Sequence, residues 1–201
     1  MESLREQYNV DIFCLNEAVP EMESMLAKKG YKVAFIARSD HHGVMIASRL
    51  PISNRRHYEL VETMRRGSPH RTPILMADFM HQKRKITVAT AHLTYFGPTE
   101  FFRRDREKHE VIKYIPPNNA IFGGDLNTFV FPFVKWTLKE QGLKHKVQGK
   151  TWRLVVGGRR TPIKMQLDHV FTTKDLSGAV NAKILPEQSV SDHFPILVTV
   201  S

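Results

Sequence analysis

Carboxylates, amides and histidines recur along this chain at one kind of place, the carboxyl end of a short apolar run. Glu17 follows Phe13-Cys14-Leu15-Asn16, His92 follows Val88-Ala89-Thr90-Ala91, and Asp125 and Asn127 follow Ile121-Phe122-Gly123-Gly124. Asp168-His169 is embedded in Gln166-Leu167-Asp168-His169-Val170-Phe171, and Asp192-His193 in Val190-Ser191-Asp192-His193-Phe194-Pro195. In layered α/β proteins the ends of strands carry reacting groups, because the sheet fixes their positions. Carboxylates such as Glu17 and Asp192 are hard oxygen donors that suit Mg²⁺ or Mn²⁺, whereas Zn²⁺ sites draw on several His or Cys. Taken singly, each residue has an ordinary explanation. A Glu after a strand is usually solvated, and Asp-x-Asn after Gly-Gly is usually a turn in which these side chains bond their own backbone. Five such places along one chain ask for a common account.

The elements that must position these residues are short. Asp11 to Leu15 reads as a strand after an amphipathic segment from Met1 to Tyr8. Glu21 to Lys29 reads as a helix stopped by Gly30. Tyr31 to Ile36 and Gly43 to Ser48 read as strands, as do Ile74 to Phe79 and Ile86 to Ala91, joined by the basic turn Gln82 to Lys85. A helix capped by Thr99 runs to Ile115 and stops at Pro116-Pro117. Ala120 to Gly123 is a buried strand, Phe133 to Gln141 a helix, and Thr151 to Val156, Leu167 to Thr172, Val180 to Leu185 and Ile196 to Val200 complete the strands. Hairpins mixed with helical crossovers suit an α/β sandwich of four layers, two packed mixed β-sheets flanked by helices.

With 201 residues the chain reads as one domain. It has no apolar run long enough to cross a membrane as a helix, and residues 1–9 are too polar for a signal peptide's core. The single cysteine, Cys14, forms no internal disulfide and reads as a buried small hydrophobe; a cytoplasmic setting is expected. Thirty Lys plus Arg against twenty Asp plus Glu leave a net charge of +10, which favours an anionic partner. The basic doublets are scattered, as on a folded face, rather than gathered in a tail.

Asn16-Glu17, Thr90-Ala91-His92-Leu93, Gly124-Asp125-Leu126-Asn127, Leu167-Asp168-His169 and Ser191-Asp192-His193-Phe194-Pro195 resemble, in this order, the motif series of the endonuclease/exonuclease/phosphatase superfamily. Gly43 to Ile52 matches the family's strand pair before mid-chain, and the resemblance runs from about Val10 to Val200. It implies a DNase-I-like fold and a Mg²⁺- (or Mn²⁺-) dependent phosphodiesterase. By the resemblance Glu17 is the principal metal ligand, and Asp192 is a ligand or lies just behind one. Asp125 positions and deprotonates water, with Asn127 orienting the same group or the phosphate. His193 bonds a phosphate oxygen or assists proton transfer, held by Asp168, and His92 contacts phosphate.

The chain departs from the family in two places. The family begins with a strand ending in a Trp-Asn or similar pair, which nothing before Val10 matches, so the sequence reads as starting one strand late. In the helix after the His motif the family often carries Arg-x-x-Gln, whereas here Arg106 is followed by His109. Arg106, Trp152 and Arg153 are the expected substrate-binding residues, the last two by stacking on a base and meeting a phosphate. The basic balance favours nucleic acid as substrate. A phosphatase or a sphingomyelinase-like phospholipase C remains open, as does an inactive basic scaffold. No membrane-inserting hydrophobic hairpin is obvious, and the aromatics of Tyr95 to Pro98 and Phe129 to Phe133 read mainly as core.

Overall fold

The computed structural model describes residues 2–38, 42–65, 68–93, 110–127, 142–188 and 191–201. Two β layers face each other. The larger is a six-stranded mixed sheet in the order β4-β5-β6-β7-β11-β8, where β4 is Ser53–Arg65, β5 Ser68–His81, β6 Arg84–Ala91, β7 Ala120–Asp125, β8 Lys144–His145 and β11 Asp168–Thr172. The second layer is in two parts. One is three-stranded, β1-β3-β2, with β1 Ile12–Ala18, β2 Lys32–Ala37 and β3 Gly43–Ser48; the other pairs β12 (Val180–Ile184) with β13 (Ile196–Val200). A separate hairpin joins β9 (Trp152–Val156) to β10 (Arg159–Met165).

Alternation along the strands sorts side chains between the layers. Val44 and Ile46 of β3 pack with Leu75, Ala77 and Phe79 of β5 between the sheets, while Met45 and Ala47 turn outward to Phe13 and to Leu26 of helix α2 (Glu21–Lys28). Helix α1 (Glu2–Tyr8) adds Leu4 to that outer cluster. Ile86, Ile121 and Val170 pack beneath Val180 and Val198 of the β12–β13 pair. On the far face of the large sheet, Phe122 and Phe171 pack with Val111 and Ile115, at the end of the crossover that links β6 to its parallel neighbour β7. The molecule is thus the expected layered α/β sandwich, with two sheets inside and helices outside.

Several elements differ from the sequence expectation. β1 runs on to Ala18, so Asn16 and Glu17 lie within it; the register shifts between Asn16 and Ala18, and Glu17 has φ +56°, a bulge at the residue of interest. β4, and the first half of β5, form a long hairpin arm that the sequence does not announce, since charged residues and two prolines interrupt any apolar alternation. β10 was likewise unforeseen. Its turn is Gly157-Gly158, both at positive φ, a two-residue loop that matches strand twist. Val155, Val156 and Ile163 on this hairpin are exposed, so an exposed apolar hairpin does exist. Cys14 is also exposed rather than buried; among the described residues β1 pairs only with β3. The helix Phe133 to Gln141, most of the helix from Thr99, the aromatic segments 95–98 and 129–133, Arg106 and His109 lie outside the described residues; the end of the Thr99 helix is present as a turn at 110–114.

Candidate active site

The site begins with a register. β7 and β11 are antiparallel and pair Asp125 with Asp168, so two carboxylates stand directly opposite each other. Like charges so placed repel unless something compensates. Gly124 makes the arrangement possible by bringing β7 against β6; a Cβ there would collide with the Ala91 carbonyl. After Asp125 the chain turns sharply. The Asn127 N–H donates to Asp125 Oδ1 (2.8 Å), Asn127 Nδ2 to the Leu93 carbonyl (2.9 Å), and Asn127 itself sits at φ +47°. Backbone strain of this kind clusters at functional sites. Leu93 N–H in turn donates to the Asp125 carbonyl (2.9 Å), which fixes the strand end that carries His92.

The segment 191–194 is tied to β9 rather than to a sheet of its own. Trp152 and His193 form an isolated β-bridge, Arg153 N–H donates to the Asp192 carbonyl (2.9 Å), and Phe194 N–H to the Thr151 carbonyl (2.7 Å). The Thr151 hydroxyl accepts from the N–H groups of Leu167 and Asp168 (3.0 and 2.9 Å), locking the start of β11 to the same point. Nothing in the sequence distinguished Thr151 as the residue joining the two motifs.

These ties bring His193 over the carboxylate pair. Its Nδ1 lies 2.8 Å from Asp168 Oδ2, and its Nε2 lies 3.9 Å from Asp125 Oδ2; His92 Nε2 is 3.5 Å from the same oxygen. Burial alone would lower the His193 pKa, but the bond to Asp168 and the charges of Asp168, Asp125 and Asp192 outweigh it and raise the value to about 9. The ring is therefore an imidazolium at neutral pH, with Nε2–H aimed at the space beside Asp125. Asp125 is pushed up to about 7, first by burial and then by the charges of Asp168 and Glu17, against the pull of His193 and the Asn127 N–H.

Asp125, Asp168 and His193 offer ligand atoms all within 4.8 Å of one another. The donor set is mainly carboxylate oxygen, the kind that suits Mg²⁺ or Mn²⁺, and the burial and neighbouring carboxylate charge that lift Asp125 are what a cation would offset. The residues present therefore fit a divalent ion. Glu17 borders the same cavity as Asp125, Asp168 and His193. Asp192 is turned differently: Oδ2 accepts from Trp152 Nε1 (2.9 Å) and Oδ1 from the Ser191 hydroxyl (3.0 Å), and burial notwithstanding, those bonds hold its pKa down. Trp152 is half-buried with its indole N–H committed to Asp192, and the Arg153 guanidinium lies 5.4 Å from the Phe194 ring centroid. Arg106 lies outside the described residues. Arg38, which nothing in the sequence distinguished, reaches the His92 carbonyl (3.5 Å) and so stands beside the cluster.

Residues 2–193 match the model of the endonuclease/exonuclease/phosphatase family. No curated protein sequence matches the chain at a significant level. Among solved structures, the fold is similar to that of TDP2 from D. rerio complexed with a single-strand DNA product, at 17% identity and TM-score 0.71, covering 99% of this chain and 89% of that one. It is also similar to an endonuclease/exonuclease/phosphatase family protein from Leptotrichia buccalis (18%, TM-score 0.75, 99% and 90%). A third is the mannosyl-6-phosphatase Bt3783 of Bacteroides thetaiotaomicron (15%, TM-score 0.70, 99% and 88%). At such identities the structures speak for the fold alone, and the match over residues 2–193 is what decides the family: this chain belongs to the endonuclease/exonuclease/phosphatase family.

Proposed function

We propose that this chain is a divalent-metal-dependent phosphodiesterase that hydrolyses nucleic acid. The observation that carries the reading is the convergence of Asp125, Asp168 and His193, with His193 bonded through Nδ1 to Asp168 and facing Asp125 through Nε2. In this reading the Asp125 carboxylate accepts a proton from the attacking water, and the Asn127 N–H keeps that carboxylate in place. His193 donates from Nε2 to a phosphate oxygen as charge builds on it, while Asp168 holds the ring's charge and orientation. His92 adds a second imidazole on the same side of Asp125. A bound Mg²⁺ or Mn²⁺, held by carboxylates among Glu17, Asp125 and Asp168, supplies neutralisation of the developing phosphorane charge. Nucleic acid is favoured as substrate by the net charge of +10 and by a hairpin beside the site that carries Arg153, Arg159, Arg160 and Lys164 without a carboxylate.

A second reading rests on one observation, the exposure of Val155, Val156 and Ile163 on that same hairpin. Apolar side chains among cations suit a phospholipid surface, and with it a phospholipase C-type reaction. One panel separates the two: labelled single- and double-stranded oligonucleotides, and sphingomyelin vesicles, each with Mg²⁺, with Mn²⁺ and with EDTA. We expect oligonucleotide cleavage that EDTA abolishes and that Asp125→Asn lowers by about 10²–10⁴-fold. Headgroup release from vesicles with intact oligonucleotides moves the assignment to the second reading. Oligonucleotide binding without turnover under every metal condition overturns both and leaves a basic scaffold.

A further inference from the structure

Thr151 is fully buried, yet each of its polar groups is spent on a segment that leads to the candidate site. Its N–H donates to the Met165 carbonyl (2.8 Å), and its carbonyl accepts from the N–H of Phe194 (2.7 Å), the residue after His193. Its hydroxyl oxygen accepts from two consecutive N–H groups, those of Leu167 (3.0 Å) and Asp168 (2.9 Å). The Leu167 carbonyl accepts in turn from the N–H of Leu126 (3.0 Å), which lies between Asp125 and Asn127. One buried side chain is thus bonded to the backbone of Asp168, next to His193, and one residue removed from the turn that carries Asp125. The Asp168–His193 bond needs such a tie. Among the described residues β11 and the segment 191–194 share no ladder, and Thr151 is hydrogen-bonded to both.

The hydroxyl is the part of Thr151 that no backbone group replaces. β11 begins at Asp168, and the two N–H groups that converge on one oxygen mark the bend from which the strand starts. Buried N–H groups require acceptors, and a side chain of the same shape without oxygen would leave both unpaired. They would move to find other partners and carry Asp168 with them. The β-branch of Thr holds the hydroxyl in few rotamers, so the position it enforces is narrow. We propose that Thr151 is a positioning residue, whose hydroxyl sets Asp168 so that its carboxylate meets His193 Nδ1 at 2.8 Å and turns Nε2 of the ring toward Asp125. The kinetic consequence rests on the hydrolytic role proposed above for His193, whereas the geometric consequence does not. A charge-assisted bond weakens steeply with length and angle, and a misplacement of about 1 Å in such a site costs up to about 10²-fold in rate.

The test compares Thr151→Val, which keeps the shape and drops the oxygen, with Thr151→Ser, which keeps the oxygen and drops the methyl, in the whole chain. Two quantities are read. One is the downfield proton resonance of His193 Nδ1–H bonded to a carboxylate, observed by NMR with isotope-labelled histidine. The other is kcat and KM on the oligonucleotide panel. We expect Thr151→Val to lose the resonance or move it upfield, and to lower kcat by about 10–10²-fold with KM within about twofold of wild type. Thr151→Ser should keep the resonance and most of kcat. An unmoved resonance in folded Thr151→Val overturns the proposal, whatever happens to KM. A serine variant as impaired as the valine one overturns it too, since the methyl and not the oxygen then matters. If urea titration shows that Thr151→Val does not fold, Thr151→Cys, with sulfur as a weak acceptor, decides by the same readings. A resonance present in wild type, lost in Thr151→Val and kept in Thr151→Ser, with no substrate cleaved by any of the three, leaves the positioning role standing and removes the hydrolytic reading instead.

Discussion

Asp168 does two things at once: it accepts from His193 Nδ1 and it faces Asp125 across the β7–β11 ladder. Replacing it by Asn keeps the shape and removes the charge that holds His193 protonated. The His193 pKa should then fall from about 9 toward the ordinary imidazole value, followed by NMR titration of the ring. At neutral pH kcat should drop by about 10²–10³-fold with KM little changed, since the lost interaction strengthens only as charge develops. A ring that titrates unchanged in Asp168→Asn would remove Asp168 from this role. Gly124 is the neighbouring residue whose importance is steric. Gly124→Ala drives a Cβ into the Ala91 carbonyl between two central strands and should cost about 2–3 kcal/mol in urea denaturation, with activity falling alongside. Stability equal to wild type would mean that β6 and β7 are not held as closely as described.

At the scale of elements, the arm formed by β4 and β5 is pinned to the large sheet by one buried carboxylate. Asp78 is 1% exposed and accepts from Arg56 through both oxygens (2.9 and 3.2 Å), from Asn54 (2.9 Å) and from Thr87 (2.8 Å). Burial alone would raise its pKa, yet these bonds win and lower it to about 2. Its unfolded-state value is about 3.9, so the native fold binds this proton less tightly. The resulting stability, of order 2–3 kcal/mol, is complete above about pH 5 and is lost as pH falls through 4 toward 2. Urea midpoints across that range should show this loss in the wild type, and Asp78→Asn should be weaker at pH 6 but flatter in acid. Identical pH profiles would show that the Arg56 pair does not hold in solution. This arm is also where the sequence was least legible. Glu59, Arg55 and Arg56 hide its strand period, whereas β3, whose six residues are all buried, reads plainly as Gly43–Ser48. The site divides in the same way. Its residue types stand out at strand ends, but their roles follow from pairing between distant segments: the Asp125–Asp168 register, the bulge at Glu17, and the indole of Trp152 spent on Asp192. No local pattern encodes such long-range choices, and stacking on a base, the role expected of Trp152, did not anticipate a hydrogen bond that holds a carboxylate.

For the whole molecule the governing quantity is charge. A net +10 alone attracts any polyanion, so it distinguishes a substrate only if cations are held where the substrate must lie. The β9–β10 hairpin meets that condition, because Trp152 at its base bridges to His193 and its tip carries the exposed Arg159 and Arg160. If a single strand runs from the cleft along this hairpin, both arginines neutralise phosphates, and each such contact adds about 0.7 to the slope of log affinity against log salt. Arg159→Ala with Arg160→Ala should therefore flatten that slope by about 1.4 for a single-stranded oligonucleotide, measured by fluorescence anisotropy between 50 and 300 mM KCl (on the order of the range where such slopes are linear). The chemistry should be spared: kcat at saturating substrate stays near wild type, because neither arginine touches the Asp125–Asp168–His193 cluster. Equal slopes for the two proteins would take the hairpin off the binding face, and binding to anionic vesicles that weakens on the same substitutions while oligonucleotide binding does not would assign the hairpin to a lipid surface instead.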